Sequence, residues 1–225
     1  MHIEPGLVDS GKIWLSYVTM AGAGGYTVKL AWDSLRERGP LSLLSRSAAT
    51  TALVFCFFEV LPHYPVGISE VHFIFGSTLF LIFGVAPAAV GLALGLLIQG
   101  LFFAPFDLPQ YGMNVTTLLV PLFGLIALAR QIIAPNTPYV DLKYRQALAL
   151  STTYQAGIVA WVGFWALYGR GFATDNVAEI TSFAGTYMLV IVIEPLLDLA
   201  VLAAAKTLHG LRGSALLERR LYEAA

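Results

Sequence analysis

The chain begins "MHIEPG", which places a free amine on Met1 directly before the imidazole of His2. That order of groups is a chelator by geometry. The Met1 amine nitrogen, the His2 backbone nitrogen and one His2 ring nitrogen close fused rings about a single ion and lie near one plane. Square-planar nitrogen sites suit Ni(II) and Cu(II), with cobalt nearby in the affinity order. A second histidine is the obvious donor for the open position. Pro5 and Gly6 allow the chain to turn inward behind the two ligands. Any chain starting Met-His carries these atoms, so the remaining sequence has to supply the context.

A second histidine stands in "PVGISEVHFIFG", where His72 follows Ser69 and Glu70 at the mouth of an apolar segment. It reads either as an interfacial histidine bonded to a neighbouring helix or as a metal ligand, since ionisable groups at membrane depth tend to mark sites. His63, in the loop before it, serves an entry route or nothing. Gln99 in "LLIQGLFF" and Asn114 in "YGMN" are amides within apolar surroundings. Buried amides need partners, which helix-to-helix hydrogen bonds supply by default. A segment anchored at those amides could instead hold the N-terminus in place.

These groups need elements to carry them, and the composition says which kind. The 225 residues are 57% hydrophobic and 12% charged, with mean hydropathy +0.73. Soluble domains carry about 45–50% apolar and about 25% charged residues. Too little polar surface remains to solvate a globule, so the expected fold is all-α and polytopic, a single membrane domain over residues 1–225. Seven spans are expected, at residues 12–31, 47–62, 70–86, 88–104, 116–134, 148–168 and 181–204. The third and fourth read as a helical hairpin joined at "GVAP", and Pro87 opens the second of them.

Topology follows from the basic residues. With the N-terminus outside, Lys29, Arg36, Arg38, Arg46, Arg130, Lys143, Arg145, Lys206, Arg212, Arg219 and Arg220 are all inside, leaving only Lys12 and Arg170 outside. The positive-inside rule prefers that arrangement, N-out and C-in. Glu4 and Asp9 precede the first basic residue, unlike a secretory leader, so Met1 is read as the true N-terminus. The outer face then collects His2, His63 and His72 together with Glu4, Asp9, Glu59, Glu70, Asp107, Asp175 and Glu179, a face that concentrates cations.

The opening "MHI" with Gly6, the G-x-S-x-V-H stretch from Gly67 to His72, "LLIQGLFF" and "YGMN" resemble the CbiM/NikM-type membrane subunits of energy-coupling factor transporters. The resemblance covers most of the chain, most strongly residues 1–6 and 65–124. It implies a substrate-capture subunit whose N-terminal segment, residues 1–11, folds into the bundle. It implies metal held by Met1, His2 and His72, with Gln99 and Asn114 as supports and Glu70 and His63 nearby. The bound Co2+ or Ni2+ is then cargo, cobalt being favoured and feeding cobalamin synthesis, and no catalytic cofactor is expected. The implied partners are a transmembrane coupling subunit, ATPase subunits and a small accessory membrane subunit, in the lipid of the cell (inner) membrane, with no nucleic acid. Two positions depart from the family pattern: Glu4 precedes Pro5, and Glu70 stands where a small hydroxyl residue is common.

The remaining features fit that reading. No ATP-binding motif appears, so uphill transport needs another chain; "AGAGGY" lacks the lysine and hydroxyl of a phosphate loop. Cys56 in "LVFCFF" is expected to be a buried small hydrophobe. Glu194 and Asp198 in "IVIEPLLDLA" share a helix face that Pro195 should kink. Two carboxylates there could form a proton relay or an acid–base pair, but they are expected to pair with basic groups or a partner subunit near the inner side. Residues 206–225 read as a cytoplasmic tail, either solvated or a short amphipathic helix. A membrane metallohydrolase would use His63, His72 and Glu70 but lacks an HExxH pattern, and a metal sensor would need an output domain. The chain is therefore read as a non-enzyme.

Overall fold

The computed structural model describes residues 3–223, apart from the side chain of His209. The elements are α1 (Trp14–Glu59), β1 (Tyr64–Val66), β2 (Ser69–Val71), α2 (Gly76–Phe83), α3 (Val85–Phe102), α4 (Tyr111–Ile132), α5 (Tyr144–Arg170), α6 (Thr174–Met188) and α7 (Glu194–Thr207). Five helical stretches are long and apolar enough to cross a membrane: α1, α3, Pro105–Ile132, α5 and Thr174–Thr207. The expected spans at 88–104, 116–134 and 148–168 coincide with α3, α4 and α5.

The other expected spans are arranged differently. Those at 12–31 and 47–62 are two arms of α1, whose 46 residues would run about 69 Å if straight, at about 1.5 Å per residue. It breaks instead at Gly39, with φ 78° and ψ 170°. Pro40 explains the place: its ring disfavours helical geometry in the preceding residue, and glycine accepts the positive φ. The segment at 70–86 is no spanning helix. It comprises β2, an extended stretch, and α2 of 8 residues, about 12 Å long against about 30 Å of hydrocarbon. The last span is divided by a 3-10 turn at Leu189–Val192, and Pro195 sits in the first turn of α7. There its missing N–H costs no helical bond, so it opens a helix rather than kinking one.

The core lies between α4 and α5. Leu150, Tyr154, Ile158, Val162 and Trp165 recur at helical spacing on α5 and are wholly buried, facing the buried Met113, Leu118, Leu122 and Leu125 of α4. The second arm of α1 lies against α3, where a Cβ added to Gly91 or Gly95 would strike Thr50 or Val54. Small residues let the two backbones approach this closely. Gly22, Gly24 and Gly25 of "AGAGGY" have no such neighbour. Cys56 is exposed on the arm whose Val54 and Phe58 point inward, which corrects the expectation of a buried thiol.

From Ser214 to Tyr222 the C-terminal stretch is strapped to the bundle by a 3-10 turn and hydrogen bonds instead of forming an amphipathic helix. Glu218 donates its N–H to Ile82 O at 2.7 Å, and its carboxylate meets Arg46 at 3.0 Å. Ser42 Oγ donates to Ala215 O, Arg38 donates to the carbonyls of Ser214 and Leu217, and Tyr222 Oη donates to Ala205 O. Leu221 is wholly buried. Arg46, 1% exposed, also donates to Phe83 O and Ser34 Oγ.

Three substitutions test this fold. Gly39→Ala should lower unfolding stability by about 1–3 kcal/mol, the cost of a non-glycine residue in this backbone region. Gly22→Ala, on an open helical surface, should be neutral or gain about 0.5–1 kcal/mol. Chemical unfolding in detergent compares the two. Glu218→Ala should cost about 2–3 kcal/mol, somewhat below the loss for a fully buried pair, because Phe83 O and Ser34 still hold Arg46.

Candidate metal-capture site

Residues 3–8 pack against the β1–β2 hairpin. Ile3 bridges Ser69 as an antiparallel partner, and Glu4 donates its N–H to Ile68 O at 3.1 Å. Leu7 N–H returns to Glu4 O at 3.1 Å, closing a turn with Pro5 and Gly6 at its corners. Gly6 has φ 83°, which the third position of a type II turn demands. The segment thereby adds to the edge of the β1–β2 hairpin, whose own register pairs Pro65 with Glu70. Ile3, Leu7 and Val8 are buried. Leu7 O packs so closely on Gly169 of α5 that no side chain fits there.

Asn114, in the first turn of α4, holds this strand from the other side. Its Oδ1 accepts the Ile3 N–H at 2.9 Å, and the residue is 1% exposed. Of the two roles open to this amide, anchoring the N-terminal segment is the one its contacts describe.

His72 lies in the extended stretch after β2, not in the first turn of a helix as the sequence reading placed it. Its ring is buried, and its Nε2 lies 2.9 Å from Glu70 Oε2. An ionised carboxylate can only accept, so Nε2 carries the hydrogen and, in the neutral ring, the lone pair falls to Nδ1. A carboxylate that fixes a ligating histidine in this way is a recurring support of metal sites. The His63 ring stacks on His72 at 4.8 Å between centroids and 12° between planes, and Phe58 packs on it at 4.9 Å. Beyond, Phe75 takes a left-handed φ of 52° to turn the chain into α2. That conformation is unusual for a bulky residue.

A cavity of about 170 Å³ opens beside these rings, lined by Glu59, His63, Glu70, His72, Gln99 and Asp107 with aromatic walls. Gln99 Nε2 lies 3.5 Å from Glu59 Oε2, and its Oε1 has no hydrogen-bond partner among the described residues. The structure thus brings His63, Glu70, His72 and Gln99 together, and directs Asn114 to Ile3 instead. Met1 and His2 lie outside the described residues. Among the described residues, no three His, Cys, Asp or Glu side chains are grouped to hold a metal ion. Glu59 and Asp107 are cavity walls that the sequence showed only as part of a general acidic face. They come from the end of α1 and the turn Pro105–Gln110, and only folding makes them neighbours.

A family described as the cobalt uptake substrate-specific transmembrane region matches residues 2–209. No curated protein matches the chain in sequence. Among solved structures, a transition metal transporter superposes with TM-score 0.67 at 16% identity, over 92% of this chain and 93% of its own. A truncated transition metal transporter superposes with TM-score 0.64 at 18% identity, over 92% and 97%. At such identities the likeness speaks for the fold alone. With its apolar helices and a match over nearly the whole sequence, the chain is a multi-pass membrane protein that belongs to the family of cobalt uptake substrate-specific transmembrane regions.

Proposed function

We propose that the protein captures a divalent transition metal at the outer face of the cell (inner) membrane, as the substrate-specific subunit of an ATP-driven uptake system. The ligands are the Met1 amine, the His2 backbone and ring nitrogens, and His72 Nδ1. The observation that carries this reading is the added strand: Ile3 pairs with Ser69, three residues before His72. Two further residues extend at most about 7 Å, a short reach from Ile3 towards that ring. Asn114 makes the strand's position rigid, and Glu70 sets which imidazole nitrogen holds the lone pair.

The chemistry then runs from attraction to selection. Glu59, Glu70 and Asp107 draw a hydrated cation into the cavity. Nitrogen donors near one plane replace its water and favour cobalt or nickel over hard cations, which prefer oxygen ligands. Cobalt, feeding cobalamin synthesis, is the preferred cargo, and nickel is the alternative. An N-terminus outside, as the positive-inside rule prefers, puts the site on the side where nutrient arrives. Inward release requires a transmembrane coupling subunit and ATPase subunits, with a small accessory membrane subunit beside them.

The free amine is tested by blocking it. Acetylated protein, or protein with an uncleaved N-terminal extension, should lose metal capture while its helical circular dichroism is unchanged. Capture at full strength from such a chain would remove the amine from the ligand set.

The ring is tested by a series measured with calorimetric cobalt and nickel titrations. His72→Ala should abolish binding. Glu70→Gln should weaken it by about 10–100-fold, the usual effect of losing an outer support. His63→Ala should be milder than either. Equal, severe losses from His63→Ala and His72→Ala would mean that the ligand set is wrong.

A further inference from the structure

Glu194 and Asp198 stand one turn apart on α7 and are 0% and 1% exposed. Among the described residues no ion pair reaches either acid; every basic side chain that pairs with a carboxylate pairs with a different one. Neutral groups surround the pair instead. Ser77 Oγ of α2 lies 3.0 Å from Glu194 Oε1 and 2.8 Å from Asp198 Oδ2. Thr78 Oγ1 donates to Asp198 Oδ1, and Gln155 Nε2 of α5 donates to Glu194 Oε2. Ser151 of α5 is wholly buried near Glu194. Gln155 Oε1 and Tyr187 Oη are also buried without a partner among the described residues.

The hydrogens do not suffice for two carboxylates. A serine hydroxyl carries one proton, yet Ser77 Oγ is within bonding distance of an oxygen from each acid. With both ionised, one of those oxygens would face only lone pairs. Two uncompensated negative charges inside a membrane protein would compound the penalty. An oxygen of each acid also sits at hydrogen-bonding distance from Ser77 Oγ. That spacing suits a hydrogen between them better than a metal ion with its own coordination sphere.

We propose that Glu194, Ser77 and Asp198 form an intramembrane proton-binding site, in which the two carboxyls share one proton and exchange it through the Ser77 hydroxyl. In the exchange, the proton leaves Glu194 Oε1 for Ser77 Oγ while the hydroxyl's own proton passes to Asp198 Oδ2. No electrons are transferred, and the site keeps one negative charge, which Thr78 and Gln155 solvate. The titratable neighbours are Tyr154 of α5 and Tyr187 at the end of α6, neither of them basic. The turn Tyr139–Asp141 supplies Tyr139 and Asp141, and Asp141 is taken by Lys206 at the exposed end of α7, 2.6 Å away. The proton site itself does not depend on the metal reading.

Infrared spectroscopy of the full chain in lipid bilayers tests the proposal, because a protonated carboxyl has a carbonyl stretch that a carboxylate lacks. At neutral pH the wild type should show a buried band with the amplitude of one carboxyl. The band should vanish in the Glu194→Gln/Asp198→Asn double variant and shift in frequency in Ser77→Ala, where the carboxyl loses its hydroxyl partner. A wild-type spectrum without the band overturns the proposal, as does a band that survives in the double variant or stays unmoved in Ser77→Ala. Should the double variant fail to fold, the wild type and Ser77→Ala decide the matter.

Discussion

Hydrocarbon offers no hydrogen bonds, so each backbone N–H and C=O at membrane depth has to find a partner within the protein. Helices meet that demand internally. The extended segments of this chain cannot, and their pairing organises the candidate site. Residues 3–8 lie on the β1–β2 hairpin through the bridge to Ser69 and the bond to Ile68, and Asn114 takes the Ile3 N–H. An amide side chain on α4 thus replaces a backbone partner, which ties the start of the chain to the centre of the bundle.

Close approach of backbones supplies the rigidity that this pairing needs. Gly91 and Gly95 let the second arm of α1 lie directly on α3, and the break at Gly39 allows that arm to turn back toward it. At the far end from the hairpin, the C-terminal stretch closes over the same elements, with Glu218 bonded to Ile82 and paired with Arg46. Arg46 is tolerable in so buried a place because carbonyl, hydroxyl and carboxylate oxygens all accept from it.

The polar chemistry of the bundle hangs on one short helix. His72 lies in the extended stretch that leads into α2 and Ser77 lies within its first turn, so the imidazole held by Glu70 and the acids bridged by Ser77 are five residues apart along the chain. Being too short to cross hydrocarbon, α2 is fixed by side-chain contacts rather than by its length. Tyr154 packs on Gly76 so tightly that no side chain fits there.

Hydropathy and length alone were enough to reveal a mainly helical membrane protein and to locate α3, α4 and α5, because a run of about 20 apolar residues has few other uses; the small β-hairpin was not legible. Local chemistry also showed through: "EPG" marks the turn at Pro5 and Gly6, and His72 and Asn114 were conspicuous as polar groups in apolar text. Hydropathy is blind to conformation, however, so residues 70–86 read as a spanning helix although they hold a strand, an extended histidine and α2. It is equally blind to what packs where, so Cys56 read as buried and the C-terminal stretch as a tail. The partners of Glu194 and Asp198, the support that Glu70 gives His72, and the joining of Glu59 and Asp107 in one cavity were decided by tertiary structure alone. Each is a contact between residues distant in the chain or set by side-chain direction, and such contacts exist only once the helices have packed.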